Sequence, residues 1–204
     1  MRPSGAGSRS AGGAASWIDA TTPAGARSIN QPFILTATIP EPLRGFAEGL
    51  RRAHFPPERN HLHAHVTLFH AFAPSLREEL ATFIPQVARE YAAPEGRVTG
   101  LLDFGKGTAI RLSSPQLLAV RRVIAERFHG TLSDQDLHEP RLHITVQNKV
   151  TKEAARALQH DLAAKLEPWT TREPFAFPSL ELHIYQGGPW EHLKTVAFRG
   201  NERL

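Results

Sequence analysis

A chain of 204 residues with an ordinary apolar fraction suffices for one domain, or for two small lobes that share a core. It contains no cysteine, which excludes disulfides and thiolate-held metals and fits a reducing cytoplasm, and no apolar run of the ~18 residues that a membrane span requires. The formal charge of +4 suits a phosphate-bearing partner but is too small to mark a duplex-binding protein, and the unusual feature is the eleven histidines.

Residues 1–30 are rich in Gly, Ala, Ser and Pro and carry no hydrophobic period, so they read as a disordered tail. Their short apolar stretch does not make a secretory core. Their Arg, Ser and lack of acids also allow a transit peptide, beside the plainer reading of an over-long start. Order is expected over 31–204. A strand over 33–39 stops at Pro40, and Pro42 opens a helix to His54 with Leu43, Phe46, Ala47 and Leu50 at helical spacing. After a proline-rich loop, an apolar run predicts a strand over 63–72. A helix follows to Tyr91, with Ser75 as N-cap, Glu78 in the capping-box position and Pro85 as a kink. Two runs, 98–104 and 108–113, read as a hairpin closed by Gly105-Lys106-Gly107. Pro115 begins a helix through Phe128, a polar loop spans 130–140, and a strand is predicted over 141–149. Thr151 caps a helix to Leu166. Strands over 175–186 and 192–199 end the chain, joined through Gly187-Gly188-Pro189-Trp190.

Inside the strands over 63–72 and 141–149 stand His65-Val66-Thr67-Leu68 and His143-Ile144-Thr145-Val146, each preceded and followed by a helix. The order describes a degenerate repeat of an α+β unit. Strand residues i and i+2 share a face, so alternation puts His65, Thr67 and Phe69 on one side. It groups Arg141, His143, Thr145, Gln147 and Lys149 likewise. If the halves fold alike, two imidazoles and two hydroxyls meet at one cleft. Such a set can serve a phosphate ester: a base, an acid, and neutral donors for the phosphoryl oxygens.

Weaker candidates surround these four. Arg141 and Lys149 offer charge for flanking phosphates, or simply a solvated edge. Phe69 could stack a base or fill the core. His183, Tyr185 and Trp190 could form a base platform, although Trp190 beside its Gly-Gly-Pro run is more simply a loop anchor. Lys106 between glycines lacks the rest of a P-loop. His61, His63 and His65 stand at metal-ligand spacing, which keeps open a metal-dependent hydrolase. A non-catalytic RNA- or nucleotide-binding module is the other alternative.

The paired His-x-Thr-hydrophobic motifs, with a proline-ended first strand and a Pro140-x-x-His143 approach, resemble those of the 2H phosphoesterase superfamily. The branch they resemble is that of 2′-5′ RNA ligases and RNA 2′,3′-cyclic phosphodiesterases. The likeness runs over about 31–199. It implies an α+β fold of two pseudo-symmetric lobes, antiparallel sheets lining a central cleft and helices outside. It further implies acid–base catalysis by His65 and His143, with His65 written as acid and His143 as base, and phosphoryl contacts from Thr67 and Thr145. No metal and no cofactor are expected. The expected substrates are RNA ends or cyclic-phosphate nucleotides, acted on by a cytoplasmic monomer with no obligate protein partner and no membrane association.

Overall fold

The computed structural model describes residues 30–203, so the tail expected over 1–30 lies, apart from Asn30, outside them. In chain order the elements are β1 (Phe33–Ala37), α1 (Leu43–His54), β2 (Val66–Phe72), α2 (Arg77–Glu90), β3 (Glu95–Asp103), β4 (Gly107–Ser113), α3 (Pro115–Arg127), α4 (Asp134–Leu137), β5 (His143–Asn148), α5 (Lys152–Thr170), β6 (Phe175–Ala176), β7 (Ser179–Tyr185) and β8 (Trp190–Ala197). The strands form two antiparallel four-stranded sheets, in the orders β2-β1-β7-β8 and β5-β4-β3-β6.

β1 is buried at all five positions. A strand covered on both faces has no need of polar alternation, and Phe-Ile-Leu-Thr-Ala shows none. Its neighbours are β2 and β7. In the second sheet β4 holds the matching place between β3 and β5. The unit β1-α1-β2-α2 thus returns as β4-α3-β5-α5, which is the repeat expected from the two tetrapeptides. Helices bury the apolar residues that fall at helical spacing, Leu43, Ala47 and Leu50 on α1 and Leu117, Val120 and Ile124 on α3. Val66, Leu68, Ile144 and Val146, the apolar members of both motifs, join one contiguous core.

Several local expectations change. Ser75 does not cap α2: Pro74 draws the chain into a 3₁₀ turn over Pro74–Leu76, and Leu76 precedes the helix with no side-chain cap. Ser114 and Thr151 do cap their helices, accepting from the backbone N–H of Leu117 and Ala154. The polar loop over 130–140 contains α4. The single strand expected over 175–186 is two: β6 joins the second sheet and β7 the first, with Pro178, which has no N–H to give a ladder, at the crossing. No described helix is long and apolar enough to cross a membrane.

Candidate active site

The two motif histidines are fixed in the same way. His65 Nδ1 lies 2.6 Å from the carbonyl oxygen of His63, and His143 Nδ1 lies 2.6 Å from that of Arg141. A carbonyl only accepts, so each Nδ1 carries the proton and each Nε2 is left as the working nitrogen. Aromatic rings flank them, Trp190 at 4.9 Å from His65 and Phe104 edge-on at 5.1 Å from His143. Thr67 and Thr145 are half-buried on the same strands, and neither hydroxyl has a hydrogen-bond partner among the described residues.

Directly behind each motif threonine the strand carries one extra residue. Thr36 pairs with Thr67 but Leu35 pairs with Phe69; Ala109 pairs with Thr145 but Thr108 pairs with Gln147. A bulge of this kind breaks the two-residue alternation. Leu68 and Phe69 both turn into the core, as do Val146 and Gln147. This corrects two expectations. Phe69 is fully buried against Phe72 and cannot stack a substrate base, and Gln147 leaves the cleft face. The residues after the bulges, His70 and Asn148, are the ones left partly open.

Two buried arginines lock the lobes together. Arg51 of α1 donates to Thr145 O (2.8 Å) on the other lobe's motif strand, and to Asn60 Oδ1 and Leu62 O ahead of its own. Arg121 of α3 does the reverse, donating to Leu68 O (3.1 Å) across the boundary and to the carbonyls of Asp136 and His138 before β5. Both motif strands are thereby held by charge-assisted bonds to backbone. Asp136, itself buried, accepts from the N–H groups of His70 and Ala71, from His70 Nδ1 and from Ser133 Oγ. Burial raises its pKa, but these bonds outweigh burial and hold it below the usual carboxylate value.

Burial pushes His65 down to about 4, aided by the positive charges of Arg51 and His183, while its carbonyl bond and Glu181 oppose the shift. His143 is lowered too, first by burial and then by His70 and Arg141, against its own carbonyl bond. In the free protein both imidazoles are therefore neutral near pH 7. Arg51 reaches Thr145 and acts on His65, and His70 of β2 acts on His143, so hydrogen-bond and electrostatic links run between the two motif strands.

An open depression of about 550 Å³ is lined by Arg59, His61, Asn148, Lys149, Tyr185 and Trp190 among others, Trp190 being the ring beside His65. Lys149 has a φ of 57°, a left-handed backbone unusual for a lysine, with its N–H donating to Asn148 Oδ1. Lys149, Trp190 and Tyr185 are thus brought together. Arg141 stands apart, exposed beside His143. His183 is mostly buried, with Nε2 3.1 Å from Thr36 Oγ1 and its ring against Trp190. The triple-histidine metal reading loses its ligand set: His63 projects into solvent beside Glu48, His61 lies on the depression, and no described group of three ligands converges on a metal position. Sequence patterns do not single out His70, Asp136, Arg51, Arg121 or Asn148 as parts of the site. For the arginines a signal exists, since each falls on the buried stripe of its helix.

Fold and cleft define a bilobal α+β protein built around paired His-x-Thr strands. The model of the 2′-5′ RNA ligase superfamily matches residues 39–189, and the chain belongs to that superfamily. Its relatives are phosphoesterase- and ligase-like enzymes. A search of curated proteins finds no match. Among solved structures, TT0787 of Thermus thermophilus is similar over 84% of this chain and 100% of that one, at 13% identity and a TM-score of 0.54. E. coli LigT complexed with NADP+ aligns over 83% and 99% of the two chains, at 16% identity and a TM-score of 0.49.

Proposed function

We propose that this protein opens 2′,3′-cyclic phosphates on RNA ends or related nucleotides by metal-independent, two-histidine acid–base catalysis, with 2′-5′ ligation when a 5′-hydroxyl replaces water as the nucleophile. The observation that carries this is the matched pair of imidazoles, each with Nδ1 committed to a carbonyl two residues back and each followed two residues on by a threonine whose hydroxyl has no hydrogen-bond partner among the described residues. Water attacks phosphorus in line while His143 Nε2 takes its proton. His65 Nε2 delivers a proton to the departing ribose oxygen, and the P–O bond to that oxygen breaks. Thr67 and Thr145 donate to the non-bridging oxygens as charge builds on them. With a 5′-hydroxyl attacking in place of water the same steps form a 2′-5′ linkage, and run backwards, with the 5′-oxygen leaving, they cleave it to the cyclic phosphate. No cofactor enters, and the protein acts as a monomer in the cytoplasm.

His65, neutral in the free cleft, has to gain its proton as the anionic phosphate arrives. The sign follows directly. Both histidines sit below the ordinary value of ~6.5 in the free enzyme, so both limbs of the kcat/KM profile lie below it. A 2′,3′-cyclic phosphate assayed in excess chelator should show kcat/KM peaking on the acid side of neutrality, with kcat, which reports the loaded cleft, peaking at higher pH. Absence of turnover on any cyclic phosphate, or turnover lost to the chelator, would count against the proposal.

The threonines give a second test. Thr67→Val and Thr145→Val keep the shape and remove a donor, and each should slow turnover by roughly 10²-fold, as loss of an oxyanion donor does. Full activity in both variants would make the hydroxyls structural.

A further inference from the structure

The bulge behind Thr67 delivers a third imidazole to the cleft. His70 keeps a side chain 40% exposed, while the carboxylate that orients it, Asp136, is 1% exposed. Asp136 is ionised and accepts at 3.0 Å from His70 Nδ1, so that nitrogen carries the proton. Nε2 is then the outward atom, and it has no partner among the described residues. The carboxylate is pinned in turn by successive backbone N–H groups of His70 and Ala71 and by Ser133 Oγ. Two successive N–H groups point the same way only where the pleat is broken, and β2 is broken a second time here: Leu35 pairs with Phe69 but Phe33 with Phe72, so His70 and Ala71 lie in the irregular stretch that seats Asp136. This costs a buried carboxylate, more than a surface histidine requires.

The surroundings say what His70 faces. His70 and Arg141 both act electrostatically on His143, so they lie at the same end of the cleft as that motif histidine. The other end, at His65, carries Trp190 and the depression with Tyr185 and Lys149. Along β2, His70 lies about two pleat steps past Thr67 once the extra residue is discounted, or ~7 Å. That is too far to share the phosphoryl group held at Thr67, and comparable with one nucleotide step along a strand.

We propose that His70, oriented by Asp136, binds a phosphodiester next to the reacting phosphate as an imidazolium, Nδ1–H donating to Asp136 and Nε2–H to a phosphate oxygen, so that the preferred substrate is an oligonucleotide end rather than a mononucleotide. The proposal rests on the phosphodiesterase reading above, and names the substrate class for it. His70 is a specificity residue with no part in the proton transfers.

The test compares uridine 3′-monophosphate with the dinucleotide UpUp, which carries one more phosphate, by calorimetry in excess chelator. The variants form a matched pair. His70→Asn keeps a donor at the Nδ1 position for Asp136 and loses Nε2; His70→Gln keeps a neutral donor near the Nε2 position. Wild type should bind UpUp about tenfold more tightly, the range of one charge-assisted hydrogen bond. His70→Asn should erase that preference without changing affinity for the mononucleotide, and His70→Gln should restore part of it. With the corresponding cyclic phosphates, KM for the dinucleotide should rise about tenfold more than KM for the mononucleotide in His70→Asn, any change in kcat through His143 being shared by both substrates. Equal weakening of both ligands, or an unchanged preference, overturns the proposal. If His70→Asn does not fold, the wild-type preference and its reduction in His70→Gln decide, and equal wild-type affinities for the two ligands overturn it. Binding needs no turnover, so a failure of the phosphodiesterase reading would appear as inactive cyclic phosphates while the binding ratios still judge His70.

Discussion

Replacing His65 or His143 by alanine should lower turnover of a 2′,3′-cyclic phosphate by roughly 10²–10⁴-fold, the contribution of a positioned acid or base. Product binding should change little, because Thr67, Thr145 and the nearby cations remain. The double variant should be scarcely slower than either single one. Proton removal from water and proton delivery to the ribose oxygen serve one displacement, and groups acting as a unit do not contribute additively. The geometry makes this a sharp expectation. Each ring is held by a carbonyl of its own segment, so deleting one leaves the other's hydrogen bond in place. The measurement is single-turnover kinetics on the two single variants and the double variant, in chelator, with product affinity determined separately. Multiplicative losses would argue for two independent contributions, and unchanged turnover in either single variant would end the paired-histidine mechanism.

Arg121→Met should cost on the order of 3 kcal/mol of stability. Arg121 is 3% exposed, and its guanidinium supplies donors to three backbone carbonyls, one of them on the opposite lobe. It also covers the face of Phe69 at 4.5 Å. Methionine can keep the apolar contact but leaves the carbonyls without a donor and removes the cation beside buried Asp136. Arg122→Met, one position along, removes only the exposed pair with Glu139 and should stay within about 0.5 kcal/mol. Denaturant midpoints with a common m-value would compare them. A loss below about 1 kcal/mol in Arg121→Met would mean that the lobes do not depend on this clamp.

The motif residues and element order are legible in the sequence because they rest on local rules: a repeated tetrapeptide, helical spacing, caps at Ser114 and Thr151. The bulges are not. A bulge inserts a residue of the same character as its neighbours, and strict alternation then misplaces whatever follows, Phe69 above all. Leu68-Phe69 as two adjacent apolar residues after a cleft-facing threonine is the available hint. Arg51 and Arg121 give no local sign of what they hold, since a lone arginine on a buried stripe shows its partners only once the other lobe is in place. Asp136 sits in a polar stretch, where composition suggests solvent; only the fold reveals that four donors converge on it. Trp190, beside its Gly-Gly-Pro run, has the local look of a loop anchor, yet it lies against His65.

The order in which the sheets take their strands has a consequence for how the chain reaches this state. The second sheet uses a continuous stretch, β3 to β6, whereas the first needs β1 and β2 from one end and β7 and β8 from the other. β1 is central there, and Phe33 waits for Ile184. A ribosome therefore releases one long edge of β1, fully buried in the finished fold, well before its partner exists. Unpaired apolar edges invite pairing with other chains. The second lobe can close on its own during synthesis; the first stays a half-sheet until the last strands emerge, and His65 meets Trp190 only then.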